Sequence, residues 1–225
     1  MKQKAGRKWL RLFLGRHPEV TRRKTQNLNP ARASKLNKVI VTDYFEKLKV
    51  LMEELDVAGK PQNIYNIDEI GCRLTLHHQQ EVFAKKGTKR VHIVAPDHAK
   101  NVTIVSCANA SGQYVPPMIL FKGQRLKPDW EENLSPGTKV VMTPKGSMTH
   151  DIFVKWIEHF QQFRVTLLIF DGVKSHLNAN IVKAAEKYDI TLFCLPSHTT
   201  HELQPMDKSV FKSFESFWDD EVLRF

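Results

Sequence analysis

The sequence predicts an α/β protein, in which a small all-α basic segment precedes a mixed sheet with flanking helices. Two observations predict this class. Residues 63–225 alternate between segments of strand character and amphipathic helices, whereas residues 1–58 show only helical patterns. The charge divides in a similar way, because residues 1–40 carry twelve Lys and Arg against one acid, while the rest of the chain is nearly neutral. We therefore expect two parts with different tasks.

The composition excludes several classes of protein. With 225 residues, 41% apolar and 26% charged, the chain is long and apolar enough to bury a core, so wholesale disorder is excluded. Three cysteines without a CxxC pair indicate no disulfide framework and a reducing compartment, cytosol or nucleus. No apolar run is long enough to span a membrane, and the N-terminus lacks a secretory signal. We expect a soluble intracellular protein.

The basic part is predicted to consist of helices. Apolar spacing, caps and breakers place them over residues 7–16, 30–36 and from about 37 to 55. Two short basic helices before a longer one fit the end of a helix-turn-helix unit. Gly59 and Pro61 mark a linker, so we divide the chain into domains of residues 1–58 and 61–225.

The second part is predicted to alternate between strands and helices. Strands are expected over residues 63–67, 101–108, 114–121, 165–170 and 190–195, and helices after Thr149, over 177–188 and over 206–225. Pro116 and Pro117 favour an edge position for the third strand, because proline cannot donate to a ladder. The order β-β-β-α-β-α-β-α is that of the ribonuclease H-like fold.

Three carboxylates stand at the ends of these elements. Asp68 is expected directly after the first strand, Asp171 directly after the fourth, and Asp207 at the start of the last helix. Parallel pairing of the first and fourth strands would bring Asp68 and Asp171 to one edge of the sheet. An apolar stripe places Asp207 on the buried side of its helix, and it consists of Val210, Phe211, Phe214, Phe217 and Trp218.

Carboxylates that converge in this way point to metal chemistry. Their mutual repulsion raises their pKa unless a cation lies among them. Carboxylate oxygens favour Mg²⁺ or Mn²⁺, and two such ions can hold the attacking and leaving oxygens of a phosphoryl displacement. For any single Asp the ordinary alternative is a turn residue or a helix cap.

The sequence motifs around these carboxylates resemble those of a known family. Asn66-Ile-Asp-Glu69, Leu168-Ile-Phe-Asp-Gly-Val-Lys-Ser-His176 and Leu195-Pro-Ser-His-Thr-Thr-His-Glu-Leu-Gln-Pro-Met-Asp207 are similar to the catalytic signatures of the pogo/Tigger/jerky group of DDE transposases. Residues 112–123 resemble that family's Pro-Pro segment. The basic N-terminus resembles the end of its centromere-protein-B type helix-turn-helix. The resemblance implies a DDE endonuclease domain in residues 61–225.

The resemblance also implies roles for single residues. Asp68, Asp171 and Asp207 would be the catalytic residues and would bind Mg²⁺ or Mn²⁺ as a two-metal site. The side chains expected around them are Glu69, His176, His198 and His201. His198 and His201 could instead bind zinc, but no second pair lies at finger spacing.

Double-stranded DNA is the expected partner. No association with a membrane is expected, and a homodimer is left open. The residues expected to contact DNA are Arg7, Lys8, Arg11, Arg16, Arg22, Arg23, Lys24, Arg32 and Lys35. The alternatives are a solvated basic surface and, for residues 22–24, a nuclear-import patch. We expect a nuclear protein, and we expect Trp9, Phe13 and the aromatic stripe of residues 211–218 to be core rather than base-stacking surfaces.

Departures from the family pattern leave two hypotheses. Val173 stands where the family has His, the connection before the 165–170 strand is short, and the chain is expected to begin inside the helix-turn-helix and to stop before the family's own C-terminus. One hypothesis is a metal-dependent DNA endonuclease and strand transferase. The other is a catalytically inactive, domesticated DNA-binding protein.

Overall fold

The computed structural model describes residues 6–22, 37–73, 101–163, 166–172 and 178–224. Its helices are α1 (Arg7–Arg16), α2 (Lys38–Glu54), α3 (His150–Phe160), α4 (Ala179–Lys187), α5 (Thr200–Leu203), α6 (Pro205–Ser209) and α7 (Phe211–Arg224). Its strands are β1 (Ile64–Arg73), β2 (Asn101–Asn109), β3 (Tyr114–Lys122), β4 (Lys139–Thr143), β5 (Leu167–Phe170) and β6 (Thr191–Cys194). The helix predicted over 30–36 lies outside the described residues.

The strands form one mixed sheet in the order β4-β3-β2-β1-β5-β6. β2 is antiparallel to both β1 and β3. The pairs β3–β4, β1–β5 and β5–β6 are parallel. β1, β3, β4, β5 and β6 therefore all end at the same edge of the sheet, as the sequence predicts for the first and fourth predicted strands.

β4 corrects the expected position of β3. Residues 139–143 pair in parallel with residues 118–122, so β3 is not an edge strand and that prediction is wrong. The two prolines are accommodated because they precede the residues paired with β4. On the β2 side the register shifts between Val105 and Cys107, opposite Pro116 and Pro117. Such a bulge lets the ladder pass residues that have no N–H to donate.

One face of the sheet is covered by α3 and α4. The Thr149 hydroxyl caps α3 by accepting from the Ile152 N–H at 3.4 Å. The apolar face predicted from the spacing is buried, and it consists of Ile152, Phe153, Trp156, Ile157 and Phe160. Tyr65 and Ile67 of β1 pack in this cluster. Odd-numbered side chains of β1 therefore face α3, and even-numbered ones face the opposite side.

α2 covers part of that opposite face. Its N-cap is Asn37, whose side chain accepts from the Ile40 N–H at 3.0 Å. Tyr44 packs with Leu167 and Ile169 of β5, and Val57, which is 1% exposed, belongs to the same cluster. The division of the chain between residues 58 and 61 stays a prediction, but α2 contributes directly to the core of the sheet.

α6 and α7 cover the neighbouring part of the same face. One helix is expected from residue 206 onward, and this is wrong, because α6 ends at Ser209 and α7 begins at Phe211. Phe211 is buried with Ile70, Cys72, Ile104 and Met206, and Phe214 and Trp218 pack against them. The break turns the rest of the predicted stripe outward, so that Val210 is 40% and Phe217 71% exposed.

α1 has no buried residue. Trp9 is 51% exposed and stacks on Phe13, with ring centroids 5.1 Å apart. The expectation that Trp9 is a core residue is therefore wrong. Its ring is shielded by the neighbouring turn of the helix rather than by a hydrophobic core.

Candidate active site

The register of β1 and β5 brings two of the three carboxylates side by side. The last paired residues are Asn66 and Ile169. Asp68 and Asp171 each lie two residues further on, so they occupy equivalent positions on neighbouring segments. Because side chains alternate, Asp68 shares the face of Asn66, and Asp171 continues the face of Ile169. This is the face covered by α2, α6 and α7.

Asp68 does not directly follow its strand, contrary to the expectation. β1 continues to Arg73 because β2 pairs with it along its whole length, with Asp68 opposite Ser106. Only the pairing with β5 ends before Asp68. The carboxylate therefore stands on a strand held rigidly on one side and open on the other. This is a stiffer support than the strand-end loop predicted.

Asp207 reaches the site from α6, which packs against β1. The expectation that Asp207 lies on the buried side of its helix is wrong. Met206 is the buried residue, at 3% exposure, and Asp207 is exposed. The expected orientation assumed one continuous helix through residue 225, whereas Pro205 begins a separate five-residue helix. Asp207 therefore lies at the open, solvent-facing side of the site.

Two buried amides join the three segments that carry the carboxylates. Asn66 donates from Nδ2 to the Ile169 carbonyl at 3.0 Å, and its Oδ1 accepts from the Met206 N–H at 3.1 Å. Gln204 donates from Nε2 to the Ile67 carbonyl at 3.2 Å. Asn66 is 7% exposed and Gln204 0%. Each bonded backbone group lies one or two residues from one of the three Asp.

The electrostatics of Asp68 show that the three carboxylates are neighbours. Burial is the largest cause that raises the pKa of Asp68, to about 7. The negative charges of Asp207 and Asp171 act in the same direction. Hydrogen bonds from the Glu69 backbone and the Gln204 side chain oppose them by lowering the pKa. The ordinary pKa of a carboxyl of this type is about 4, so burial first, and the two neighbouring carboxylates in addition, favour the protonated form of Asp68.

The segment after β5 is packed closely against β6. A Cβ on Gly172 would stand 3.1 Å from the Leu195 carbonyl oxygen and 3.5 Å from the Cys194 Sγ. Burial, assisted by the charge of Asp171, raises the pKa of the Cys194 thiol to about 11. Glycine at position 172 thus allows Asp171 to lie against β6 without displacing it.

The residues expected around the carboxylates differ in their placement. By alternation along β1, Glu69 faces α3 and not the side of Asp68, so it reaches Asp68 only through its backbone N–H. His198 is exposed and has a φ of 66°. His201 is half-buried, and neither ring nitrogen has a hydrogen-bond partner among the residues that the structure describes. His176 and Val173 lie outside the described residues.

The donor set fits a hard divalent cation. Three neighbouring carboxylates offer the oxygen ligands that Mg²⁺ and Mn²⁺ prefer, and a cation would relieve the repulsion that raises the pKa of Asp68. Within the described ranges, no three His, Cys, Asp or Glu side chains are arranged to hold a metal ion. The three Asp are thus electrostatic neighbours rather than a closed ligand set.

The predicted DNA-contacting residues that the structure describes are all exposed. They are Arg7, Lys8, Arg11 and Arg16 on α1 and Arg22 beyond it. Arg23, Lys24, Arg32 and Lys35 lie outside the described residues. In the part of the molecule that the structure describes, no helix is both long and apolar enough to cross a membrane.

The family described as "DDE superfamily endonuclease" matches residues 99–224, more than half of the sequence. The chain belongs to this family. The match covers β2 to α7, and with them Asp171 and Asp207. The predicted relationship to the DDE transposases is confirmed.

Two curated relatives extend the match toward the N-terminus. CENP-B homolog protein 2 of Schizosaccharomyces pombe is 27% identical over 194 residues, which are 77% of this chain and 35% of the relative. MFS-type transporter clz9 of Cochliobolus lunatus is 27% identical over 170 residues, which are 72% of this chain and 18% of the relative. The chain therefore spans about a third or less of the length of these relatives.

Solved structures show the same fold. The Mos1 strand transfer complex has a TM-score of 0.59 at 13% identity, and the match covers 95% of this chain and 59% of that one. The Mos1 mariner paired end complex with Mn has a TM-score of 0.58 at 13% identity, and the match covers 92% and 57%. The predicted ribonuclease H-like mixed sheet with flanking helices is confirmed.

Asn66, Gln204 and Gly172 are the residues that sequence reasoning missed. All three lie inside the sequence motifs that carry the family resemblance, but in those motifs the charged residues indicate a site more clearly than uncharged ones do. The signal that could have found the two amides is an uncharged amide next to a strand-end carboxylate. Buried amides need specific hydrogen-bond partners, so an amide in a motif of this kind indicates a hydrogen bond between two segments of the chain.

Proposed function

We propose that the chain is the DDE domain of a transposase-derived protein that binds duplex DNA and holds Mg²⁺ or Mn²⁺ at Asp68, Asp171 and Asp207. The observation that carries the proposal is the register of β1 and β5: their pairing ends two residues before Asp68 and Asp171, and α6 is joined to β1 beside them. Solved relatives of this fold are described as complexes with a transposon end, with Mn and with Mg. They support the same chemistry here.

Each carboxylate has its own task in this proposal. Asp68 and Asp171, carried by neighbouring strands, would hold the cation at a fixed place on the sheet. Asp207, on the exposed helix α6, would complete the ligand set from the solvent side. A bound divalent cation supplies Lewis-acid stabilisation of charge on phosphate oxygens. Ile169 and Met206, which lie within two residues of Asp171 and Asp207, are buried apolar side chains.

DNA binding in the proposal is the task of the basic N-terminal part. The side chains of α1 are exposed or half-buried, and none of them is committed to a core. Their positive charges would attract the phosphate backbone of DNA whatever its base sequence. We propose the nucleus as the location, because a reducing compartment with DNA fits the free cysteines and the basic segment.

A second candidate function rests on Val173. The residue two positions after Asp171 is apolar where the resembled family has His. Loss of a polar group beside a metal ligand typically lowers metal affinity or activity by about 10- to 100-fold. The alternative is therefore a protein that keeps the fold, the metal site and DNA binding but no longer cleaves.

Nicking of supercoiled plasmid with Mn²⁺ separates the two candidates. We expect weak nicking or none, and no full recovery in Val173→His. Asp171→Asn is the control, because cleavage that survives it comes from a contaminant. Strong cleavage by the unmodified protein that is lost in Asp171→Asn establishes the endonuclease and excludes the inactive alternative. A protein that neither binds DNA nor responds to Mn²⁺ would overturn the proposal as a whole.

A further inference from the structure

The two buried amides differ from the other hydrogen-bonding side chains of the sheet in what they connect. Asn66 lies on β1, yet its two amide atoms bond to β5 and to α6. Gln204 lies at the start of α6 and bonds back to β1. Together they link β1 to both β5 and α6, and each of these three segments carries one of the three Asp within two residues of a bonded group.

These connections require the chemistry of an amide. An amide offers N–H donors and a carbonyl acceptor at one end, so it can bond a backbone carbonyl and a backbone N–H at once. A carboxylate could not donate to the Ile169 carbonyl, and a lysine could not accept from the Met206 N–H. Both amides are at least nine-tenths buried, where a lost partner leaves a polar group that water cannot satisfy.

The bonds lie where the backbone ladder stops. The pairing of β1 with β5 ends at Asn66 and Ile169, and α6 belongs to no strand. Beyond this point the relative positions of the carboxylates depend on side chains. The hydrogen bond from Gln204 to Asp68 adds a direct link, and the second atom of that amide, Oε1, has no partner among the described residues.

We propose that Asn66 and Gln204 are positioning residues that set the spacing of Asp68, Asp171 and Asp207 and thereby the affinity of the site for a divalent cation. This inference rests on the proposed function. It differs from a merely structural role, in which the two amides would stabilise the fold but leave metal affinity unchanged.

Mn²⁺ titration of the full-length protein tests it, with the free ion followed by its EPR signal and thermal melts recorded in chelator. Gln204→Met keeps the volume and the apolar surroundings but removes the donor to the Ile67 carbonyl. It also removes the unpartnered Oε1. We expect it to fold with a melting temperature lowered no more than in Asn109→Ala, because removal of the unpartnered Oε1 offsets part of the lost bonding, and to bind Mn²⁺ about 10-fold or more weakly. Asn66→Ala should lower both the affinity and the melting temperature.

Asn109→Ala is the matched control. Asn109 is 6% exposed and, like Asn66, bonds backbone groups through both amide atoms, but it is paired with Tyr65 and so lies on the opposite face of the sheet. We expect it to lower the melting temperature while Mn²⁺ affinity stays at the wild-type value. If Asn66→Ala does not fold, Gln204→Met alone decides, because the loss of its hydrogen bonds is partly offset by the loss of the unpartnered Oε1.

The outcomes separate the inference from the proposed function. Wild-type binding that is weakened in Asp171→Asn, together with unchanged binding in Gln204→Met and Asn66→Ala, overturns the inference alone. A wild-type protein that binds no Mn²⁺ overturns the proposed metal site and the inference with it. Weakened binding in both amide variants, with Asn109→Ala unaffected, supports both.

Discussion

The sheet edge and the N-terminal helix α1 hold their charged side chains in opposite ways. At the sheet edge, the segments that carry the three carboxylates are joined by strand pairing and by two buried amides, and a glycine allows close packing. On α1, the charged side chains are exposed and the helix buries nothing. The difference is the one expected from the proposed function, because a site for a small cation needs fixed geometry, whereas attraction to a polyanion needs only the placement of charge.

The largest expected effect concerns α1 and tests whether its exposed charges bind DNA. We expect replacement of Arg7, Lys8, Arg11 and Arg16 by Ala to weaken binding to all duplex sequences alike. The slope of log affinity against log salt should fall by about one for each phosphate that is no longer bound, so that affinity at low salt falls by about 10³-fold. Fluorescence anisotropy with two unrelated duplexes, at several salt concentrations, measures both quantities.

A matched variant removes the same number of charges elsewhere. The four lysines that it replaces by Ala each pair with an acid in the structure, and they are Lys47, Lys49, Lys60 and Lys208. If this variant loses as much DNA affinity as the α1 variant, net charge rather than α1 is responsible. Deletion of residues 1–59 is a poorer test, because it also removes Tyr44 and Val57 from the core.

The second prediction concerns the cost of the carboxylate cluster without metal. The pKa of Asp68 is raised from 3.8 to about 7 in the folded protein, so its contribution to stability is fully present below pH 3.8 and is lost as the pH rises through 7. We expect this loss to amount to a few kcal/mol in chelator. Asp68→Asn should remove it, so that urea unfolding at pH 5 and pH 8 differs less in the variant than in the wild type. An equal pH dependence in both proteins would contradict the raised pKa.

The third prediction concerns Asp207→Asn, a variant that removes one charge on the exposed side of the site. Without metal, the variant should be more stable by up to about 1 kcal/mol, because a charge that repels Asp68 is gone. With millimolar Mn²⁺ the stabilisation should shrink by about 1.4 kcal/mol if affinity falls tenfold. Thermal melts with chelator and with Mn²⁺ measure both changes.

Asp207 is not the N-cap of its helix, since Gln204 holds that position and makes no side-chain cap bond. An effect of Asp207→Asn therefore cannot be assigned to a lost cap. A wild-type melting temperature that does not respond to Mn²⁺ would contradict the shared site.

The sequence predicts the fold well where one physical signal dominates. Apolar spacing marks α3, and the buried run of β5 and its following Asp171 are clear from residue type alone. β4 is missed because five residues, most of them half-buried, between Gly, Pro and Ser show no clear period. The orientation of Asp207 is missed because a helix break at Val210 has no breaker residue, and only packing of Phe211 against the sheet produces it.

The smallest expected effect tests how closely the sheet edge must be packed. In Gly172→Ala, the new methyl group would stand 3.1 Å from the Leu195 carbonyl oxygen, so β6 or the segment carrying Asp171 must shift by a few tenths of an ångström. We expect a loss of about 1 kcal/mol in unfolding free energy and a weaker response to Mn²⁺. Urea unfolding and Mn²⁺ titration measure the two.

Gly71→Ala is the control for this change. Gly71 lies on β1, between the site and the end of the strand, and a Cβ there would meet nothing within 4 Å. The added methyl group restricts the unfolded state, so stability should stay equal or rise by about 0.4 to 1 kcal/mol. Metal response should be unchanged, because no neighbour has to move. If Gly172→Ala behaves like Gly71→Ala in both measurements, Asp171 tolerates displacement, and the fixed geometry assigned to the sheet edge does not extend to β5.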